Sequence, residues 1–169
     1  MDGILNVLKP PGMTSFDVVA YLRKLLKVKK IGHTGTLDPG AVGVLPVCIG
    51  KATKTIEYLT DKDKAYRAEL TLGIATDTQD SYGKVLKVCE VNLGREEIYN
   101  AVMSFVGSYN QIPPMFSAVK VEGKKLYELA REGITVERTP RNVTIHSIEI
   151  VDIKDNKVLF DTVCSKGTY

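Results

Sequence analysis

Two β-prone runs, residues 143–153 and 158–163, flank the short polar stretch at Asp155-Asn156. Asp and Asn accept the left-handed backbone of a tight turn, so the runs fold back on each other as an antiparallel hairpin. A chain with such a hairpin cannot be a simple series of parallel crossovers, which need a helix between strands. The remaining pattern agrees. Strands are expected at residues 4–8, 44–49, 65–72, 85–91 and 117–121, with Tyr66, Ala68, Leu70 and Leu72 on one face of 65–72. Helices are expected after the N-cap candidates Thr14 and Ser15, where Val18, Val19, Leu22, Leu25 and Leu26 recur at helical spacing, and at 51–59, 96–106 and 125–131. Residues 110–115, with Pro113-Pro114, read as irregular. Hairpins are too frequent for a doubly wound fold. The expectation is an α+β fold with a mixed, mostly antiparallel central sheet flanked by helices.

A chain of 169 residues suffices for one well-buried domain, or one plus a small appendage. A hydrophobic content of 44% with 25% charged residues argues against disorder. The longest apolar run, 41–50, is broken by Pro46 and too short to span a bilayer. The chain opens without a basic region or an apolar signal core, so the expectation is a cytoplasmic protein that stays off membranes. Cys48, Cys89 and Cys164 are widely spaced among apolar neighbours and read as reduced core residues. The end at Ser165-Lys166-Gly167-Thr168-Tyr169 reads as a cut.

Net charge is only +3, from 23 Lys and Arg against 20 Asp and Glu, so its distribution is the informative property. Arg23, Lys24, Lys27, Lys29 and Lys30 fall between Asp17 and Asp38 with no acid among them. A weaker cluster, diluted by glutamates, runs from Lys120 to Arg141. Basic clusters are usually solvated faces. Two of them raise the case for a phosphate backbone as partner.

That case is strengthened by residues 31–46, where Asp38 stands before Pro39 among Gly32, Gly35, Gly40 and Gly43. Proline pushes the preceding residue out of the helical region, and glycines permit unusual backbone angles and close approach. The segment presents a carboxylate to something large. Asp-Pro-Gly alone is more often a plain turn.

Around Asp38 there is no Ser-His-Asp arrangement, phosphate-binding loop, dinucleotide fingerprint or Cys/His metal spacing. His33 divides evenly between a loop hydrogen-bonder and a substrate contact; His146, alternating with Ile145 and Ile148, reads as structural. Tyr66 is ordinary strand packing or a platform for a stacked base. Asp77 and Asp80 either cap their own loop or bind a polar substrate.

Several stretches resemble the TruB family of pseudouridine synthases. The opening Leu5-Asn6-Val7-Leu8-Lys9-Pro10-Pro11-Gly12-Met13-Thr14-Ser15 is similar to its first motif, and Gly32-His33-Thr34-Gly35-Thr36-Leu37-Asp38-Pro39 through Gly43-Val44-Leu45-Pro46 to its catalytic motif. Lys64-Ala65-Tyr66, Thr76-Asp77-Thr78-Gln79-Asp80, Pro113-Pro114-Met115-Phe116-Ser117-Ala118-Val119-Lys120 and Cys164-Ser165-Lys166-Gly167-Thr168-Tyr169 resemble further motifs in the family's order.

The resemblance implies a pseudouridine synthase fold and isomerisation of uridine at position 55 in the T arm of tRNA, by one chain acting alone without metal or cofactor. On it, Asp38 is the essential carboxylate, Tyr66 stacks on the flipped uracil, His33 and Tyr169 contact the target nucleotide, and Asp80 is a further contact. Residues 1–169 are then a catalytic domain incomplete at its C-terminus, with an RNA-gripping insertion at about 114–141 and without the family's C-terminal RNA-binding domain. The family's arginine partner of the aspartate falls just past the position of Tyr169, which puts the activity of these residues alone in question. A non-catalytic RNA-binding module and a hydrolase with a second acid about 5–5.5 Å from Asp38 are the rival readings.

Overall fold

The computed structural model describes residues 1–169, which divide into two units, 1–62 and 63–169. In the first unit, β1 (Gly3–Lys9), β2 (Ile31–His33) and β3 (Gly43–Ile49) form an antiparallel sheet in the order β1–β3–β2. The register runs from Gly3 opposite Ile49 to Lys9 opposite Gly43. Helix α1 (Ser15–Leu26) starts on a capping box. The Asp17 amide donates to Thr14 Oγ1 at 3.0 Å while the Thr14 amide donates to the Asp17 carboxylate at 2.8 Å. It ends at Lys27, whose φ of 54° is left-handed. Val18, Val19 and Leu22 bury one helix face against Ile31, Leu45, Val47 and Ile49. Each such side chain contributes about 1.5–3 kcal/mol. Leu25, expected in that stripe, is exposed. The helix expected at 51–59 is a 3₁₀ segment, Gly50–Thr55, followed by one α-helical stretch, α2 (Ile56–Thr60).

In the second unit, β4 (Lys64–Thr71), β7 (Gly107–Gln111), β10 (Arg141–Lys154) and β11 (Lys157–Cys164) form a four-stranded antiparallel sheet in the order β4–β11–β10–β7. The predicted β10–β11 hairpin is present, and Asp155 takes a left-handed φ of 53° in its turn. Helix α3 (Arg95–Met103) buries Ile98 and Val102 against Val158, with Ile148, Ile150 and Phe160 around them. β5 (Ile74–Thr76) and β6 (Val85–Val88) make a short ribbon around the polar 76–83 loop, so the strand expected at 85–91 stops three residues early.

The α+β expectation is met, and every strand pair is antiparallel. Three local differences stand beside it. β7 escaped sequence reading because Gly-Ser-Tyr-Asn-Gln has no strand-like composition; its pairing with β10 makes it a strand. Of residues 117–121 only β8 (Lys120–Val121) pairs, with β9 (Lys124–Lys125). Segment 114–141 has a packed centre of its own, where α4 (Leu126–Arg131) buries Leu126 completely and Leu129 nearly so. Cys48 and Cys164 are buried as expected, but Cys89 is exposed just beyond the β6 ribbon. Burial pushes the Cys164 thiol up from its ordinary value.

Candidate active site

Asp38 lies in the first unit between β2 and β3. Residues 31–46 are not one loop: Ile31–His33 pairs with β3, and β3 begins at Gly43, leaving 34–42 as the open stretch. A three-residue strand carries no alternation signal, and its pairing with β3 decides it. The Asp38 carbonyl accepts the Ala41 amide at 3.0 Å, closing a turn around Pro39-Gly40. Gly32 and Gly43 do not adopt a left-handed φ, contrary to the expected use of their conformational freedom. The glycine that needs it is Gly12 (φ 85°), whose amide donates to the Pro39 carbonyl at 2.8 Å.

The backbone on both sides of Asp38 is tied to the N-terminal segment. Before it, Ser15 Oγ accepts the Leu37 amide at 2.9 Å and donates to the Leu37 carbonyl at 3.2 Å. After it, the fully buried Lys9 ammonium donates to the carbonyls of Met13 (2.7 Å), Pro10 (2.9 Å) and Pro39 (3.3 Å). Three donors thus meet three acceptors. This offsets the cost of burying the charge and fastens the Lys-Pro-Pro-Gly turn to residue 39. The Asp38 side chain itself is exposed. The backbone is fixed and the carboxylate is left for chemistry. His33, at the end of β2, is partly buried, and its Nδ1 is buried without a hydrogen-bond partner.

The other candidates belong to the second unit. Tyr66 is on β4 opposite Thr162 of β11, with its side chain partly exposed. Tyr169 is half exposed, but its backbone is held: its amide donates to Gln111 Oε1 at 2.9 Å and Gln111 Nε2 donates to its carbonyl at 2.6 Å. Asp80 is partly occupied. Its Oδ1 accepts the Thr78 hydroxyl at 2.6 Å and the Tyr82 amide at 2.8 Å, and Asp77 accepts the Lys84 amide at 2.8 Å. His146 faces Asp63 at 3.3 Å, in keeping with a structural role.

Sequence reading missed Lys9, Ser15 and Gln111 as the groups that hold the backbone at and beside these residues. Lys9-Pro10-Pro11-Gly12 reads as a strand terminator and Ser15 as a helix start. Nothing local marks a partner 22 or 30 residues away.

The chain belongs to the TruB family of pseudouridylate synthases, whose N-terminal domain model matches residues 23–169. It is 62% identical over its whole length to tRNA pseudouridine synthase B of Alkaliphilus oremlandii, covering 56% of that protein. To the protein of the same name from Symbiobacterium thermophilum it is 57% identical, covering 58%. The chain therefore spans a little over half the length of these relatives. Among solved structures it is similar to a chain of a Cbf5-Nop10-Gar1 complex, with a TM-score of 0.73 and 32% identity over 99% of this chain and 40% of the other. It is also similar to a chain of an H/ACA RNP bound to a substrate RNA containing 2′-deoxyuridine, with a TM-score of 0.70 and 29% identity over 99% of this chain and 39% of the other. No helix is long and apolar enough to cross a membrane.

Proposed function

We propose that this chain carries the catalytic aspartate of a tRNA uridine isomerase that makes pseudouridine at position 55 of the T arm. The observation that carries the reading is Asp38: an exposed carboxylate on a backbone tied down on both flanks, within a family of pseudouridylate synthases. The reaction breaks the bond from C1′ to N1, turns the uracil, and joins C1′ to C5; the proton on C5 leaves and N1 gains one. Asp38 attacks C1′ or C6, or takes a proton from C2′, and the same isotope experiment reads all three routes.

The target base is paired or stacked in folded RNA, so it must be flipped out at a cost of a few kcal/mol. Tyr66 stacks on it, worth about 1–3 kcal/mol for a base on an aromatic ring. His33 and Tyr169 contact the nucleotide, and Asp80 offers the oxygen its loop leaves open. Segment 114–141, with Lys124, Lys125 and Arg131, grips the RNA. The reading calls for neither metal nor cofactor, and places a monomer in the cytoplasm.

The test is tritium release from tRNA labelled at uridine C5, made with the protein in its full reading frame. Parent protein releases tritium; Asp38→Asn stops release while tRNA affinity stays within about tenfold, since the amide keeps the shape without the chemistry. Turnover by clean Asp38→Asn protein overturns the assignment. Binding without release favours the non-catalytic module, and free uracil favours the hydrolase. The same assay on residues 1–169 alone tests whether they suffice for turnover.

A further inference from the structure

Six lysines of the first unit gather at one place, and it is the end of that unit's sheet farthest from Asp38. The ladder from Lys9–Gly43 to Gly3–Ile49 has six steps, so at about 3.3 Å per residue its ends are about 20 Å apart. Asp38 belongs to the Lys9 end, where Gly12 and Lys9 hold Pro39 and Ser15 holds Leu37. Helix α1 starts there and runs its 12 residues, about 18 Å, to the opposite end. At that opposite end the Gly50 amide donates to the Lys30 carbonyl at 2.7 Å, which brings the connection after α1 against the 3₁₀ segment. Lys24, Lys27, Lys29, Lys30, Lys51 and Lys54 are contributed by the helix end, the connection and the 3₁₀ segment, and all six are exposed.

A bland explanation covers only part of this set. Cations in the last turn of a helix complement its dipole, and that accounts for Lys24 and Lys27. It does not account for Lys29, Lys30, Lys51 and Lys54, which lie beyond the helix. None of the six is in an ion pair. Asp2, the acid in contact at this end, accepts the Lys51 backbone amide at 2.6 Å. Arg23, the remaining cation of the run, is committed to the Ile31 carbonyl and the Phe16 ring. Like charges crowded on a surface repel, and a polyanion removes that repulsion while releasing its own counterions.

We propose that this lysine end is a second RNA-binding surface, contacting backbone phosphates about 20 Å from the target uridine. The proposal rests on the reading of the chain as a tRNA-modifying enzyme. It adds a function for the surface: it fixes the register of the RNA on the protein, since phosphate contacts position a nucleic acid without reading its bases. RNA too short to reach 20 Å past the target nucleotide cannot use it.

The test replaces Lys29, Lys30 and Lys51 with Gln in the full reading frame, avoiding Lys27 because of its left-handed backbone. Affinity for whole tRNA, and for a stem-loop shortened below that reach, is measured across monovalent salt. Each lost phosphate contact removes about 0.7–0.9 from the slope of log affinity against log salt, so the triple variant is shallower by about 2 on tRNA. Parent and variant then meet near about 1 M salt and differ about a hundredfold at about 0.1 M. On the short stem-loop the two proteins bind alike, and the three corresponding Arg substitutions keep the parent slope on tRNA. An unchanged slope with tRNA, or an equal loss on both RNAs, overturns the surface. The two readings fail separately. Parent protein that shows the slope difference without releasing C5 tritium ends the enzymatic reading and leaves the surface standing. Tritium release with an unchanged slope does the reverse.

Discussion

Two loops of this chain carry candidate acids, and they are built in opposite ways. The Asp38 loop is tied to residues far away in sequence, through Ser15 to Leu37 and through Lys9 and Gly12 to Pro39. Both tethers bind backbone, so they fix the chain and leave the carboxylate alone. The 76–83 loop is tied to itself. Asp80 closes on Thr78 and Tyr82, Asp77 on Lys84, and Thr76 on the Asp80 carbonyl at 2.7 Å. There the carboxylates are the tethers. An acid spent on its own loop gives up part of its capacity for a substrate, whereas an acid on a loop held by others keeps all of it. Tyr169 follows the first pattern, with Gln111 holding its backbone and its ring left half exposed.

The sharpest way to break this contrast is to treat the two acids identically. Asp38→Asn removes isomerisation altogether, while Asp80→Asn lowers kcat/KM by less than about tenfold, a rim contact being worth about 1 kcal/mol. Equal losses would mean the loops' construction says nothing about their roles.

Tyr66 comes next. Tyr66→Phe keeps the ring face and binds tRNA normally. If its hydroxyl also moves the C5 proton, single-turnover rate falls by about 10²–10⁴. Tyr66→Leu loses binding as well. A drop in melting temperature that accounts for the whole activity loss in both variants would make Tyr66 mere packing.

Ser15→Ala releases the Leu37 tether without touching Asp38. A small displacement of a catalytic group costs about 10²-fold, and it acts on kcat while the Kd for tRNA stays put. Ser15→Thr, which keeps the hydroxyl, recovers most of the rate. A loss confined to melting temperature, with kcat intact, would reduce Ser15 to a packing role.

The smallest effect concerns the four-stranded sheet of the second unit. Arg67 is bidentate to Asp161 across β4 and β11, both distances 2.7 Å, and the pairing holds the Asp161 carboxyl below its usual range. A depressed carboxylate stabilises the fold above its unfolded pKa, and that stabilisation is lost as pH falls through the folded value. Arg67→Gln therefore lowers the melting temperature slightly at pH 7, and the difference closes below about pH 4. Because the pair is exposed, the effect is small throughout. A difference that grew towards low pH would contradict the assignment.

Much of this organisation was legible in the sequence because its causes are local. The N-cap candidate Thr14, the spacing of Val18, Val19 and Leu22, and the Asp155-Asn156 turn each work over a few residues, so α1 and the β10–β11 hairpin could be read directly. Asp38 stood out for the same reason, a proline and glycines beside one acid. Partners distant along the chain were not legible. Ile31–His33 and Gly107–Gln111 are strands because β3 and β10 pair with them, whatever their own composition. Lys9 has the sequence of a surface lysine and the environment of a core residue, because carbonyls from Pro10, Met13 and Pro39 converge where its ammonium ends. The sequence alone singled out Asp38 as the candidate acid. Only the tertiary structure decided what holds the backbone on either side of it, because hydrogen bonds across 22 and 30 residues exist only once the sheet has brought their ends together.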